Sequence, residues 1–238
     1  MVEAAGTEYL RVAGLHAFYG ESHILHGVDF TVHRGELVTL LGRNGAGRTT
    51  TLKAILGLVD KRTGSVMISG HEVIGWPAHR IARLGVGYCP EERGIFSSLS
   101  TEENLMLPPV FSREGMSVDE IYTMFPLLKE RRRSQGTRLS GGEQQMLAMA
   151  RILRTGAQLL LLDEVSEGLA PVIVQKLLQV IHQLKQRGFT IVLVEQNFHF
   201  ASALADRVYV VERGRIVLGI EKSQLTAKQE VMEELLGV

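Results

Sequence analysis

The chain has 238 residues, and its 26 Lys and Arg residues balance its 26 Asp and Glu residues, which gives a formal net charge of zero. This balance excludes a polybasic nucleic-acid-binding protein and an acidic disordered tail, while 45% hydrophobic residues suffice for a sizeable core. The single cysteine excludes an intrachain disulfide and a cysteine-ligated zinc site. The sequence shows no apolar run near the roughly 18 residues of a membrane span and no signal peptide, so we expect a chain that neither crosses a membrane nor leaves the cell by itself.

Strands and helices alternate along most of the chain, which predicts an α/β fold with a mostly parallel sheet. Apolar and alternating patterns predict strands at 8–19, 27–32, 36–41, 65–69, 85–89, 158–162, 189–194, 207–211 and 215–218. Helical spacing predicts helices at 50–58, 77–84, 101–107, 117–128, 141–153, 171–187, 197–205 and 224–236. Strand patterns are absent between 92 and 157, which predicts a helical subdomain inserted into the α/β core.

A glycine-rich loop joins the strand predicted at 36–41 to the next helix. Gly42, Gly47 and Thr49 have the spacing and the strand-to-helix context of a P-loop. Glycines let successive backbone N–H groups surround phosphate oxygens, the helix N-terminus adds positive potential, and Thr49 is the expected Mg²⁺ ligand. The alternative is a plain glycine-rich turn. The predicted nucleotide-binding residues are Gly42, Arg43, Asn44, Gly45, Ala46, Gly47, Arg48, Thr49 and Thr50.

One residue departs from the P-loop pattern, because Arg48 stands where a lysine is expected. A lysine ammonium is compact, whereas the arginine guanidinium is longer, planar and forked, so the exchange is not conservative at a tight site. The charge is kept, and ATP binding should survive. A displacement of about 1 Å at the γ-phosphate can nevertheless cost ~100-fold in rate. We therefore hypothesise that the chain binds ATP but hydrolyses it slowly.

Two further motifs follow in the second half of the chain. The first begins a helix and combines a serine cap with two glycines, which predicts a second anion-binding helix start; its residues are Leu139, Ser140, Gly141, Gly142, Glu143 and Gln144. An ordinary capping box is the alternative, and both interpretations can hold together. The second motif is the pair Asp163 and Glu164 at the end of an apolar strand. Asp163 suits contact to Mg²⁺ and Glu164 suits polarisation of the attacking water, whereas solvated loop acids are the alternative.

With these three motifs in this order, the chain resembles the ATP-binding cassette (ABC) family of transport ATPases. Finer features at 88–93, 101–105, 166–171 and 194–197 resemble the ATPases of high-affinity branched-chain amino acid importers, to which importers of urea and other amides are similar. The resemblance implies a RecA-like P-loop NTPase fold with an N-terminal antiparallel β-subdomain. It also implies one ATP-binding domain over 1–238, with the inserted helical subdomain at 92–157.

The resemblance also implies roles for single residues. Tyr19 matches the aromatic that stacks on adenine, although a core aromatic is the alternative. Glu91 matches the residue that touches Mg²⁺ and senses the membrane partner. Gln196 stands where most members have a histidine, so a hydrogen bond to phosphate remains open but proton transfer does not. The catalytic set is Glu164, Arg48, Gln196 and Glu91, and the metal set is Thr49, Glu91 and Asp163. Val165 and Glu167 depart from the family pattern with no assigned effect.

The implied partners are a second ATPase subunit, membrane-spanning permease subunits and, indirectly, a substrate-binding protein. Two cassettes pair head to tail, as a homodimer or a heterodimer, with each ATP between one P-loop and the other chain's signature at 139–144. The helical subdomain would contact the permeases at the cytoplasmic face of the membrane. We therefore expect an ATPase that powers uptake of branched-chain or related amino acids.

Two other functions are weighed against this expectation. The chain could be a nucleotide-binding subunit that completes its partner's site with little turnover of its own, as Arg48 suggests. It could instead be a soluble ABC ATPase acting on nucleic acid, but the neutral charge and the absence of a long coiled coil argue against nucleic-acid partners. The basic run at 129–133 is interpreted as a solvated helix end, and His23 with His26 is not interpreted as a metal site.

Overall fold

The computed structural model describes residues 7–225, 227–228, 231–232 and 236. In chain order its strands are β1 (Glu8–Tyr19), β2 (Ser22–His33), β3 (Leu37–Leu41), β4 (Lys61–Ile68), β5 (His71–Glu72), β6 (Val86–Cys89), β7 (Leu159–Asp163), β8 (Thr190–Glu195), β9 (Arg207–Glu212) and β10 (Arg215–Glu221). Its helices are α1 (Arg48–Ile55), α2 (Ala78–Ala82), α3 (Thr101–Met106), α4 (Val118–Met124), α5 (Pro126–Glu130), α6 (Gly141–Arg154), α7 (Pro171–Gln186) and α8 (Phe198–Leu204). Within these ranges no helix is both long and apolar enough to cross a bilayer.

The central sheet has six strands in the order β10-β9-β3-β8-β7-β6. All neighbours are parallel except β9 and β10, which form an antiparallel hairpin. Every residue of β3, β7 and β8 is buried, as expected for parallel strands covered on both faces. The carboxyl ends of β3, β8 and β7 therefore lie side by side at one edge of the sheet, where ligands bind in open α/β folds.

A second, antiparallel sheet with the order β2-β1-β4-β5 contains the N-terminal strands. Its apolar side chains pack with α1 and with one face of the central sheet, for example Leu10 and Val28 in the same core as Leu40. The other face of the central sheet shares its core with α6 and α7. The α/β class, the antiparallel β-subdomain and the helical part predicted from the sequence are thus confirmed.

Local differences from the predicted elements have simple causes. The single helix predicted at 117–128 is two helices, because Phe125 leaves the helical region (φ −124°, ψ 71°) before Pro126, as residues preceding proline tend to do. Strands β2 and β4 begin earlier than predicted, because Gly27 and Gly64 adopt positive φ within a strand rather than ending it. The helix predicted at 224–236 falls partly on residues outside the described part of the chain.

Candidate functional site

The sequence-predicted P-loop and acidic pair meet at the carboxyl edge of the central sheet. The glycine loop follows β3, Asp163 ends β7, and Gln196 follows β8, which lies between these two strands. A cavity of about 250 Å³ is lined by Glu164 and by residues from two other segments: Ile24 of β2 and Gly45, Ala46, Gly47, Arg48, Thr49 and Thr50 of the loop and α1. Glu164 therefore shares one cavity with residues that precede it by 114 or more positions in the sequence.

The loop leaves the amino end of α1 without a side-chain acceptor. Gly47 occupies the N-cap position with φ 105°, makes no side-chain cap bond, and is followed by no acidic residue in the first turn. A Cβ at Gly42 would overlap the carbonyl oxygen of Val211, and one at Gly47 would lie 2.9 Å from Leu25 Cδ2. The first N–H groups of α1 thus keep donor capacity for an anion, and the close packing requires glycine.

The β9–β10 turn supports the loop from behind. The Gly214 N–H donates to the carbonyl of Ala46 over 2.8 Å, and the Gly214 carbonyl accepts from the N–H of His26 over 2.8 Å. Gly214 has φ 72°, and a Cβ there would overlap the carbonyl oxygen of Ile24. The turn therefore ties the P-loop to β2 through backbone groups alone, at a residue that only glycine fits.

Arg48 forms an ion pair with the acid at the end of β7. Its Nη2 lies 2.6 Å from Glu164 Oε1 and donates over 3.1 Å to Asn44 Oδ1. The side chain is only 3% exposed. Its Nη1 is buried and has no hydrogen-bond partner within the described part of the chain. A buried guanidinium with a spare donor beside a bare helix start fits a phosphate, which offers several acceptor oxygens.

Asp163 is fully buried between two hydroxyl groups, so the interpretation as a solvated loop acid is wrong for this residue. Thr49 Oγ1 donates to Oδ1 and Tyr88 Oη donates to Oδ2, each over 2.9 Å. Burial raises the pKa of Asp163, and these two hydrogen bonds oppose that rise. The Thr49 hydroxyl and the Asp163 carboxylate together present the hard oxygen donors that suit Mg²⁺ beside a phosphate.

Glu164 adopts a strained backbone conformation and has a perturbed carboxyl group. Its φ is +48°, which is uncommon for a residue other than glycine, and its N–H donates to the carbonyl of Val194 over 2.9 Å. Burial raises its pKa to about 7, and Glu167 adds to the rise through a hydrogen bond and its charge, while Arg48 opposes it. The pKa of Glu91, which follows β6, is also raised, mainly by burial and secondly by the charges of Glu167 and Asp163. Glu167 thus belongs to the candidate site.

A second cavity, of about 610 Å³, adjoins the first through Glu164. Its lining comes from the loops after β7 and β8 and the start of α8: Glu164, Ser166, Glu167, Gly168, Glu195, Gln196, Asn197, Phe198 and His199. Gln196 is exposed here, close to the acidic residues. Glu195, which sequence reasoning passed over, is 2% exposed and ends a strand whose residues are all buried. An acid at the end of a buried strand was the signal that could have found it.

The signature residues form a capped helix start elsewhere in the chain. Ser140 caps α6 in a reciprocal box with Glu143, in which each accepts from the backbone N–H of the other. The capping box and the glycine pair therefore coexist. A Cβ at Gly141 would lie 3.1 Å from Arg93 Nη1, and one at Gly142 would lie 2.6 Å from Ile173. Gln144 Nε2 donates to the carbonyl of Leu139, which fixes the approach to the helix.

The remaining predicted residues fall as follows. Tyr19 is 38% exposed at the β1–β2 turn, so it is not a core aromatic, and the same hairpin supplies Ile24 to the P-loop cavity.

Cys89 is fully buried, as expected for a small core residue. Within the described ranges no group of three His, Cys, Asp or Glu side chains could hold a metal ion by itself, although His16 and His23 contact each other through ring nitrogens 3.0 Å apart.

Comparison with known proteins agrees with this geometry. Residues 25–167 match the sequence profile of the ABC transporter family. The chain is 43% identical to the high-affinity branched-chain amino acid transport ATP-binding protein BraG of Pseudomonas aeruginosa, over 92% of this chain and 96% of that protein. It is 34% identical to the probable branched-chain amino acid transport ATP-binding protein LivF of Archaeoglobus fulgidus, over 96% and 99%.

A solved structure extends the agreement to three dimensions. The structure of an ATP-binding subunit of an ABC transporter superposes with a TM-score of 0.77 at 28% identity, over 97% of this chain and 95% of that one. The sequence motifs, the fold and the relatives thus point to one assignment. The chain belongs to the ABC transporter family, as an ATP-binding subunit.

Proposed function

We propose that this chain binds ATP with Mg²⁺ at the site between β3 and β7 and couples its hydrolysis to the uptake of branched-chain or related amino acids. The observation that carries the substrate class is the 43% identity to BraG over nearly the whole of both chains. The site supports the nucleotide, because it combines a bare helix start, a buried cation with a spare donor, and paired oxygen ligands.

The proposed reaction is in-line attack of water on the γ-phosphate. Backbone N–H groups of the P-loop and the Arg48 guanidinium hold the phosphate oxygens and stabilise the charge that develops on them. Thr49 and Asp163 would hold Mg²⁺, which would offset phosphate charge. Glu164 orients and polarises the water, and its pKa of about 7 suits a general base near neutral pH. Gln196 and Glu91 complete the proposed catalytic set beside the second cavity.

The proposed assembly follows from the separation of the two helix starts. We propose that the Ser140–Gly142 segment meets the ATP held by a second ATPase subunit, because it begins a helix away from this chain's own P-loop cavity. Exposed apolar side chains around α3 support contact of the 92–157 subdomain with permease subunits: Phe96, Met106, Leu107, Val110 and Phe111. The chain, one domain over 1–238, would then lie peripherally on the cytoplasmic face of the membrane, with a substrate-binding protein as an indirect partner.

The Arg48–Glu164 ion pair favours a second candidate function. In this arrangement the proposed general base is held by the residue that replaces the P-loop lysine, over only 2.6 Å. Each turnover then requires the two side chains to separate before Glu164 can act on water. A subunit of this kind would bind ATP and complete its partner's site through Ser140, with slow turnover at its own P-loop.

Two measurements test these functions. ATPase rates of the wild type and Arg48→Lys are compared, alone and with the partner ATPase and permeases in lipid vesicles. A faster Arg48→Lys supports restraint by arginine, and equal rates refute it. Uptake of radiolabelled leucine, isoleucine and valine is then compared in cells with and without this chain. Unchanged uptake would reject the substrate class while leaving the ATPase assignment intact.

A further inference from the structure

Glu195 has a buried carboxylate that contacts the neighbouring loop with both oxygens. Its Oε1 accepts from the backbone N–H of Ser166 over 3.1 Å, and its Oε2 accepts from Ser166 Oγ over 2.9 Å. One side chain at the end of β8 therefore joins the loop that carries Glu164 to the loop that begins at Gln196.

The carboxylate accepts from both Ser166 groups at once. A glutamine amide would keep one acceptor oxygen for the Ser166 N–H and could donate to the Ser166 hydroxyl, which both donates and accepts, so glutamine preserves both contacts without the charge. Leucine has a similar size and no polar side-chain atom, so Glu195→Leu removes both contacts. Burying a carboxylate carries an energetic cost, which the hydrogen bonds from Ser166 partly offset.

We infer that Glu195 is a positioning residue of the proposed ATPase site, because its carboxylate holds the loop 164–168 against the loop that begins at Gln196. The inference rests on the proposed function. Ser166 lies two residues after Glu164, whose N–H is fixed to Val194 just before Glu195. With both points held, the strained backbone of Glu164 keeps one orientation, and its side chain stays at the mouth of the P-loop cavity.

The tether does not require the ionised form of Glu195. A protonated carboxyl group still accepts from the Ser166 N–H at its carbonyl oxygen, and its hydroxyl can donate to the Ser166 hydroxyl, so both contacts can persist. Burial raises the pKa of Glu195 to about 7, with Ser166 and Arg48 opposing the rise. The other titratable groups facing the same cavity are Glu164, Glu167 and His199. The test therefore removes both polar atoms of Glu195 and does not rely on pH.

The test compares Glu195→Leu, which removes both contacts, and Glu195→Gln, which keeps them, with variants that separate positioning from folding. Ser166→Ala removes one of the two donors, and Ser166→Thr keeps the hydroxyl. Thr190→Val is the matched control, since Thr190 is buried in the same strand and accepts from the N–H of Gly35 over 3.0 Å, in a contact outside both cavities. For each variant kcat, KM for ATP and the melting temperature are measured with the partner subunits present.

The expected result is a selective loss of turnover. Glu195→Leu should lower kcat on the order of tenfold or more with KM changed by less than about twofold, because misplaced catalytic groups act on rate rather than on ground-state binding. Glu195→Gln, which keeps both contacts, should retain most of the wild-type kcat. Ser166→Ala should lose less kcat than Glu195→Leu, Ser166→Thr should keep the wild-type kcat, and Glu195→Leu/Ser166→Ala should be no worse than Glu195→Leu. A Glu195→Leu protein that resembles Thr190→Val, with a lower melting temperature but normal kcat, overturns the inference.

Hydrogen exchange tests the tether without any turnover. The Ser166 amide should exchange about tenfold faster in Glu195→Leu than in the wild type, because its buried acceptor is lost. Unchanged exchange at Ser166 rejects the tether whether or not the protein hydrolyses ATP. A wild type that shows no hydrolysis with its partners, together with faster Ser166 exchange in the variant, instead places the failure on the proposed function.

Discussion

The ion pair between Arg48 and Glu164 predicts that nucleotide binding is opposed by the chain's own carboxylate. Arg48 Nη2 lies 2.6 Å from Glu164 Oε1, and the two side chains are 3% and 11% exposed. A phosphate that enters the cavity must compete with Glu164 for this guanidinium. Replacement of Glu164 by glutamine removes the charged competitor but keeps the shape, so the affinity for ADP should rise.

The size of the effect follows from the kind of contact that is exchanged. A hydrogen bond to a charged group is worth about 1.5–3 kcal/mol, and a neutral one about 0.5–1.5 kcal/mol. The difference, about 1–1.5 kcal/mol, corresponds to roughly a tenfold lower Kd. Glu164 has a pKa of about 7, so the full difference is expected at pH 8, where the carboxylate is ionised. At pH 6 the wild type should approach the variant.

Titration with a fluorescent ADP analogue at pH 6 and pH 8 measures this directly, and ADP avoids any effect of hydrolysis. Glu167→Gln is the matched control, because it removes a nearby carboxylate that makes no ion pair with Arg48. Equal tightening in both variants would assign the effect to the general negative potential of the cavity. Unchanged affinity in Glu164→Gln would refute the competition itself.

Three further outcomes follow from the same structure. Ser140→Ala and Ser117→Ala each remove a helix cap with a reciprocal box, and each should lower the unfolding free energy by about 1 kcal/mol in urea titration. Only Ser140→Ala should lower ATPase activity with the partner, and an equal loss of activity in both variants would contradict the signature assignment. Gly214→Ala should lower the unfolding free energy well beyond the loss of about 1–2 kcal/mol expected for Gly20→Ala, since both glycines have positive φ but only Gly214 lacks room for a Cβ. Similar melting temperatures of the two variants would show that the turn relaxes. Because the pKa of Glu195 is raised to about 7 in the folded chain, its contribution favours folding at low pH and is lost as the pH rises through about 7. Glu195→Gln should therefore gain stability relative to the wild type between pH 4.5 and 7, on the order of 3 kcal/mol. A pH-independent difference in melting temperature would contradict that sign.

The sequence predicted the elements whose signals are local. The strand, glycine loop and helix around Gly47 follow from spacing within a dozen residues, and the α/β order follows from periodicity. Prediction failed where a single backbone angle decides the outcome. Phe125 ends α4 because Pro126 follows it, and Gly27 bends β2 without ending it. Helical or strand periodicity alone carries no information about these angles.

The chemistry of the site was predictable only in part, because its decisive contacts join distant residues. The type of Arg48 flagged a departure, but its pairing with Glu164, 116 positions away, depends on the register of the central sheet. Glu167 was visible as unusual but could not be assigned until the fold placed it beside Glu164 and Glu91. Glu195 was hidden at the end of a buried strand, where its partner Ser166 is 29 positions earlier.

The backbone bonds at Gly214 have a consequence for how much of the chain is needed to bind a nucleotide. The family profile ends at residue 167, yet the carbonyl of Ala46 depends on a donor from Gly214. A chain shortened to the matched residues would also lack β8 and β9, the two strands that flank β3. The P-loop would then sit on an edge strand with its rear support removed. The smallest autonomous nucleotide-binding unit is therefore expected to extend at least through Glu221, the end of β10.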